Sequence, residues 1–282
     1  MITLGENRYG KSRVRVMKVE REGERHAVHE WNVEVWLKGD FQSCFEDGDN
    51  SRILPTDTMK NTVYYLARLS KAPHIEGFTT ELVTYLLANN PQVTEAGASI
   101  SASHWGPLVA AGQMHGTAFV QVGNVRETTT VTGRRGETVQ VASGFRDLSI
   151  LKTAKSGFAG YIKDKLTTLK ETHNRLLGTL ASGEWKYTAA TIDYQAARLR
   201  ISDALLQAFA THDSLSVQQT LYAMGKAALD AEPGITEIHL SMPNKHCNLV
   251  DLSPFGLDNP NHIFVPTDEP HGSIEATVRR AG

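Results

Sequence analysis

Cysteine is nearly absent: Cys44 and Cys247 are the only two in 282 residues. That is too few for a disulfide framework or a thiolate zinc site, and both read as incidental thiols suited to a reducing compartment. An excess of charge of one sign is also missing. Lys and Arg total 29 against 31 Asp and Glu, so a formal charge of -2 gives no global field for nucleic acid or an anionic membrane, and any basic site must be local. No apolar run approaches the roughly 18 residues of a membrane span, and the opening MITLGENRYGKSRV has no apolar signal core. The last residues, VRRAG, lack the Ser-Lys-Leu peroxisomal address. The expected location is therefore cytoplasmic, in a bacterial type of cell, with no nucleic-acid or membrane partner.

What is present is ordinary globular composition, 40% hydrophobic and 21% charged, which argues for order nearly throughout. The length exceeds a typical single core, so two domains are expected, residues 1–140 and 141–282. Trp31, Val33, Val35 and Leu37 alternate with Asn32, Glu34 and Trp36, the pattern of a half-buried strand. It pairs by expectation with residues 14–20 through a turn at Gly23. Thr56 and Asp57 offer helix caps, and Met59, Val63, Leu66 and Ala67 recur at helical spacing, predicting a helix over 58–71.

Pro73 and Gly77 punctuate the chain, a second helix runs through Leu82 and Leu86, and Pro91 stops it before strand-like runs at 98–105 and 117–122. Residues 127–142, around Gly133–Gly136, read as a long hairpin joining the halves. The second half repeats the order, with strands near 148–152 and 176–187, helices near 193–212 and 215–230, and strands from Thr236 and Glu275. Residues alone thus support an α+β protein with antiparallel sheet and helices on one face. Open sheet edges need covering, which points to an oligomer.

Several separated stretches carry chemistry. They are Lys11, LPTDTMKN at 54–61, SGF at 156–158, TTLKETHNR at 167–175, SVQ at 216–218 and MPNKH at 242–246. Taken singly each is bland: a surface lysine, a helix cap, a core phenylalanine, exposed polar groups. Occurring together and in this order, they resemble the urate oxidase (uricase) family, and weaker similarity runs along essentially the whole chain. The resemblance implies two tandem tunnelling-fold (ββααββ) domains whose sheets join into a barrel through oligomerisation, a homotetramer with active sites at chain interfaces.

It also implies the reaction, oxidation of urate by O2 and water to 5-hydroxyisourate and hydrogen peroxide, without metal or organic cofactor. Urate is a planar anion with alternating N–H and C=O groups. A guanidinium fork, an amide and a flat ring suit it, and Arg175, Gln218 and Phe158 supply these by resemblance, with a backbone contact from Val217. Thr56 and Asp57 are expected to reach the five-membered ring from a neighbouring chain. Both Thr56-Asp57 and Val217-Gln218 fall at expected helix starts, where free N–H groups favour anions.

Lys11, Thr56 and His246 match the family's proton relay, and Asn244, with Thr56, the position that holds dioxygen and then water. The chemistry is coherent: urate must lose a second proton before it can give an electron to oxygen, and a lysine held neutral can accept it. His26 with His29, or His239 with His246, lack a carboxylate or thiolate at ligand spacing, so no metal site is expected. Gly133-Arg134-Arg135-Gly136 reads as a turn rather than a phosphate loop. Two alternatives stand beside the main reading. One is a purine or pterin hydrolase of the same fold group, often zinc-dependent; the other is a purine-binding protein without turnover.

Overall fold

The alternation at 31–37 sets the architecture of the first half. Trp31, Val33, Val35 and Leu37 are buried while Asn32 and Glu34 are exposed, so one face of this strand is apolar and must be covered. In the computed structural model, which describes residues 2–188 and 192–281, that strand is β2 (Arg25–Gly39). It forms a hairpin with β1 (Tyr9–Glu22) through a turn in which Gly23 takes φ +59°. The chain divides into two compact units, Met1–Phe145 and Arg146–Gly282.

In the first unit, a short helix α1 (Gln42–Glu46) precedes α2 (Thr56–Leu69) and α3 (Ile75–Asn89). The strands β3 (Val93–Ala110) and β4 (Gln113–Arg134) follow, and the antiparallel order is β1-β2-β3-β4. The element order, setting α1 aside, is ββααββ. α2 buries Met59, Val63 and Ala67, and α3 buries Phe78, Leu82, Val83 and Leu86, all in one cluster with the inward side chains of the strands. Trp31 and Phe78 stack at 4.9 Å across that boundary. β5 (Gln140–Lys152) begins after the turn at Gly136 (φ +83°) and is tied to β4 by the Thr129 hydroxyl donating to the Ala142 carbonyl at 2.9 Å.

One expectation needs correcting. Thr56 and Asp57 are not the caps of α2: Pro55 occupies the cap position with φ -55° and ψ 138°, and no side chain caps the helix. Thr56 and Asp57 are its first two residues, and the Asp57 carboxylate turns along the helix to accept from Lys60 and from Asn61 (3.2 Å). Proline at the cap fixes the turn into the helix, so a side-chain acceptor is not needed to start it.

The second unit continues with β6 (Leu177–Tyr187), α4 (Tyr194–Thr211), α5 (Val217–Ala231), β7 (Ile235–Ser241) and β8 (Asn244–Leu249). A 3-10 turn at Ser253–Phe255, β9 (Phe264–Gly272) and β10 (Glu275–Arg279) complete it. β7 lies between β6 and β10, all antiparallel, while β8 pairs with the start of β6 and with β9. Leu177, Ala181 and Trp185 on β6 are buried, as are Ile201 and Leu205 of α4 and Leu221 and Met224 of α5. The β8–β9 ribbon has no counterpart in the sequence reading, because most of its residues are exposed and Pro266 and Pro270 interrupt its alternation.

No helix among the described residues is long and apolar enough to cross a membrane. One close approach bears on the functional residues: a Cβ on Gly10 would lie 2.0 Å from the backbone oxygen of Val35. Gly10→Ala must push β1 away from β2, and an overpacking loss of about 1–3 kcal/mol is expected. Urea unfolding measures it, and an unchanged midpoint would show that β1 yields freely.

Candidate active site

In the first unit the three residues singled out by sequence, Lys11, Thr56 and Asp57, converge. Tyr9 and Lys11 stand opposite Leu37 and Val35 on β2, both buried, which puts Tyr9 and Lys11 on the face where α2 packs. A bulge after Lys11, with Arg13 at φ +59°, restores the inward position at Val14, so Lys11 lies at the local irregularity of the strand. The Tyr9 hydroxyl accepts from the Leu54 N–H at 2.8 Å and donates to the Leu54 carbonyl at 3.1 Å. That clamps the segment entering α2 beside Lys11.

Asp57 is held below the usual carboxylate range, first by the hydrogen bond from Lys60 and then by its charge, with a smaller contribution from the charge of Lys11. Lys11 is therefore near enough for its charge to be felt at Asp57. The first turn of α2 has no side-chain cap, so its leading N–H groups face outward with the helix dipole behind them.

In the second unit a tight backbone frame holds Phe158 and Arg175. The Arg175 N–H donates to the Ser156 carbonyl at 2.9 Å, Gly157 donates to Ser214 at 2.8 Å, and Phe158 and Thr172 exchange both bonds at 2.7 and 3.0 Å. These link the 156–158 segment both to Arg175 and to the residues that lead into α5. The Arg175 guanidinium carbon lies 5.3 Å from the Phe158 ring centre. Burial alone draws the Arg175 pKa down, and its Nε is buried with no hydrogen-bond partner among the described residues. That nitrogen is cut off from water without an acceptor, and an anion placed there would offset the loss.

α5 starts at Val217, which is buried, with the exposed Gln218 next. The Ser216 hydroxyl caps this helix by accepting from the Gln219 N–H at 3.1 Å. Ser216→Ala should lower stability by about 1 kcal/mol, read as a drop in Tm. An unchanged Tm would mean that the link from Gly157 to Ser214 already fixes the helix start.

Asn244 opens β8, opposite Thr179 on β6 and Gly272 on β9, and the exposed His246 follows two residues on, its carbonyl accepting from the Thr267 hydroxyl at 3.1 Å. Thr179 was not a sequence candidate. It is 1% exposed and its hydroxyl has no partner among the described residues, yet it sits between Arg175 along the chain and Asn244 across the ladder. Nothing in the sequence marks it, because a threonine in a strand is normal. Among the described residues no three His, Cys, Asp or Glu side chains gather as a possible metal set.

Comparison with known proteins gives these geometries a context. The family model for uricase matches residues 7–132 and 141–275. A curated uricase from Arthrobacter globiformis is 41% identical over 290 residues, covering 100% of this chain and 91% of the relative. That of Dictyostelium discoideum is 35% identical over 283 residues, covering 100% and 99%. Among solved structures, the Arthrobacter globiformis uricase has a TM-score of 0.95 at 39% identity, covering 100% of this chain and 96% of that one. A uricase from Bacillus fastidious has a TM-score of 0.84 at 25% identity, covering 97% and 93%.

Proposed function

The chain belongs to the uricase family, and on that premise we propose that its urate site combines Phe158, Arg175, Val217, Gln218, Asn244 and His246 of one chain with Lys11, Thr56 and Asp57 of a neighbouring copy. Its activity is the oxidation of urate. Two electrons pass from urate to dioxygen, water adds to the ring carbon that becomes hydroxylated, and 5-hydroxyisourate and hydrogen peroxide leave. The observation that carries the site is Arg175: a guanidinium short of an acceptor, beside an aromatic ring, suits a planar anion with carbonyl and N–H edges.

In this reading Arg175 and Gln218 grip the six-membered ring, Val217 adds a backbone contact and Phe158 stacks on the ligand. The uncapped start of α2, with Thr56 and Asp57, meets the five-membered ring. Lys11 takes the second proton of urate through the Thr56 hydroxyl, with His246 completing the relay. Asn244 holds dioxygen and later water, with Thr56 opposite. The electron-rich dianion itself reduces oxygen, so deprotonation, positioning and exclusion of bulk water are what these side chains supply.

A homotetramer, in which each chain carries two tunnelling-fold domains (1–140 and 141–282), fits the unpartnered apolar side chains on β3 and β4, where Val109, Met114, Val120 and Val122 are exposed. Native mass measurement tests the assembly. Oxygen uptake with urate after dialysis against a chelator tests the chemistry. Coupled loss of oxygen and of urate absorbance is the expected result. Strict dependence on added metal would overturn the cofactor-free reading in favour of a metal-dependent relative, and tight urate binding without uptake would leave a binding protein.

A further inference from the structure

The ring that is to carry urate is itself held by a second aromatic ring. Gly160 takes φ +74°, which folds the chain back just after Phe158 and lays Tyr161 against it. The two rings stack with centres 4.9 Å apart and planes 15° apart. Tyr161 is fixed in turn: its hydroxyl donates to the Leu169 carbonyl at 2.6 Å, and the Lys163 ammonium lies 5.6 Å from its ring centre. Lys163 pairs with Glu171 at 2.8 Å, and Glu171 also accepts from the Gly160 N–H at 3.3 Å. The return segment closes on Phe158 itself through the paired Phe158–Thr172 backbone bonds. The loop thus holds Phe158 in two ways, by the Tyr161 ring against its side chain and by the paired bonds of its backbone.

We propose that Tyr161 is a positioning residue for urate: stacked on Phe158, it fixes the plane of the ring that is to carry the substrate. The inference rests on Phe158 being the stacking ring of the proposed site. A half-buried phenylalanine held on one side by backbone alone can still rotate about its side-chain torsions, and a stacked partner removes that freedom before substrate arrives. The aromatic contact contributes through geometry as well as area, so the loss of the Tyr161 ring should be felt in binding, while proton transfer and oxygen reduction proceed as before.

Steady-state kinetics and anaerobic urate binding on the full chain test this with Tyr161→Ala, Tyr161→Leu and Tyr161→Phe. The Ala and Leu variants are expected to raise KM and the anaerobic Kd about two- to tenfold. Their kcat and its pH profile should stay at the parent values. Tyr161→Phe, which keeps the ring, should restore most of the affinity. Unchanged Kd in both the Ala and Leu variants would overturn the proposal. A lower Kd would overturn it too, since Tyr161 would then be blocking the stacking face rather than backing it. Should Tyr161→Ala fail to fold, Tyr161→Leu retains volume without a ring and decides the question by the same change in Kd. Phe158→Ala serves as the separate check on the site: if it leaves urate binding intact, the reading of Phe158 fails, whereas a strong Phe158→Ala effect beside silent Tyr161 variants sinks only the role of Tyr161.

Discussion

Arg175→Ala is expected to raise the KM for urate roughly a hundredfold, a cost of about 3 kcal/mol for losing charge-assisted hydrogen bonds to an anion. The fold should survive, because the frame around residue 175 is made by its backbone N–H and not by its side chain. The side chain is instead half-buried and under-satisfied: desolvation lowers its pKa and Nε has no partner among the described residues. Removing it takes away a partly desolvated cation whose Nε has no partner among the described residues, so Tm is expected to hold or rise while affinity falls. Arg175→Lys separates charge from shape. A lysine retains the charge but not the planar fork, so it should recover only part of the affinity. A KM for Arg175→Ala indistinguishable from that of the parent would remove Arg175 from the urate site.

The second large effect is expected at Lys11. Lys11→Met keeps the length of the side chain and removes its ability to take a proton, so kcat should fall on the order of 10^2 to 10^4-fold while KM changes little. The structure supports the choice of residue by placing Lys11 on the helix-facing side of β1, close enough for its charge to reach Asp57. Asp57 should remain ionised in the variant, because Lys60 supplies the largest part of its lowered pKa. A change in binding through Asp57 is therefore not expected, and the loss should appear in turnover. Thr56→Ala, which removes the hydroxyl between Lys11 and urate in the proposed relay, should lower kcat in the same direction. Normal turnover by Lys11→Met would show that the proton leaves by another route.

Much of the fold was written in periodicity. The strict alternation at 31–37 placed β2 and the spacing of Met59, Val63 and Ala67 placed α2, since each pattern has one face that must leave water. The family words nominated Arg175, Phe158, Val217 and Asn244 for the proposed urate site, and their resemblance to urate oxidases pointed to the chemistry, which composition alone could not have done. The sequence was silent wherever the driving force was not burial. The β8–β9 ribbon that carries Asn244 and His246 is exposed and interrupted by proline, so no pattern announced it. Thr56 and Asp57 have the chemistry of helix caps, yet Pro55 holds that position in α2.

The sequence by itself determined the elements with a strong apolar period, their buried faces and the chemical types available for binding urate, because hydrophobic period and residue chemistry are local properties. Only the tertiary structure decided that Lys11 and Asp57 come within electrostatic reach, that the Arg175 Nε is buried beside Phe158 with no partner among the described residues, and that Tyr161 folds back onto that ring. Each of these depends on distances between segments separated along the chain or on the turn at Gly160. Desolvation and stacking strength are set by that geometry rather than by residue identity.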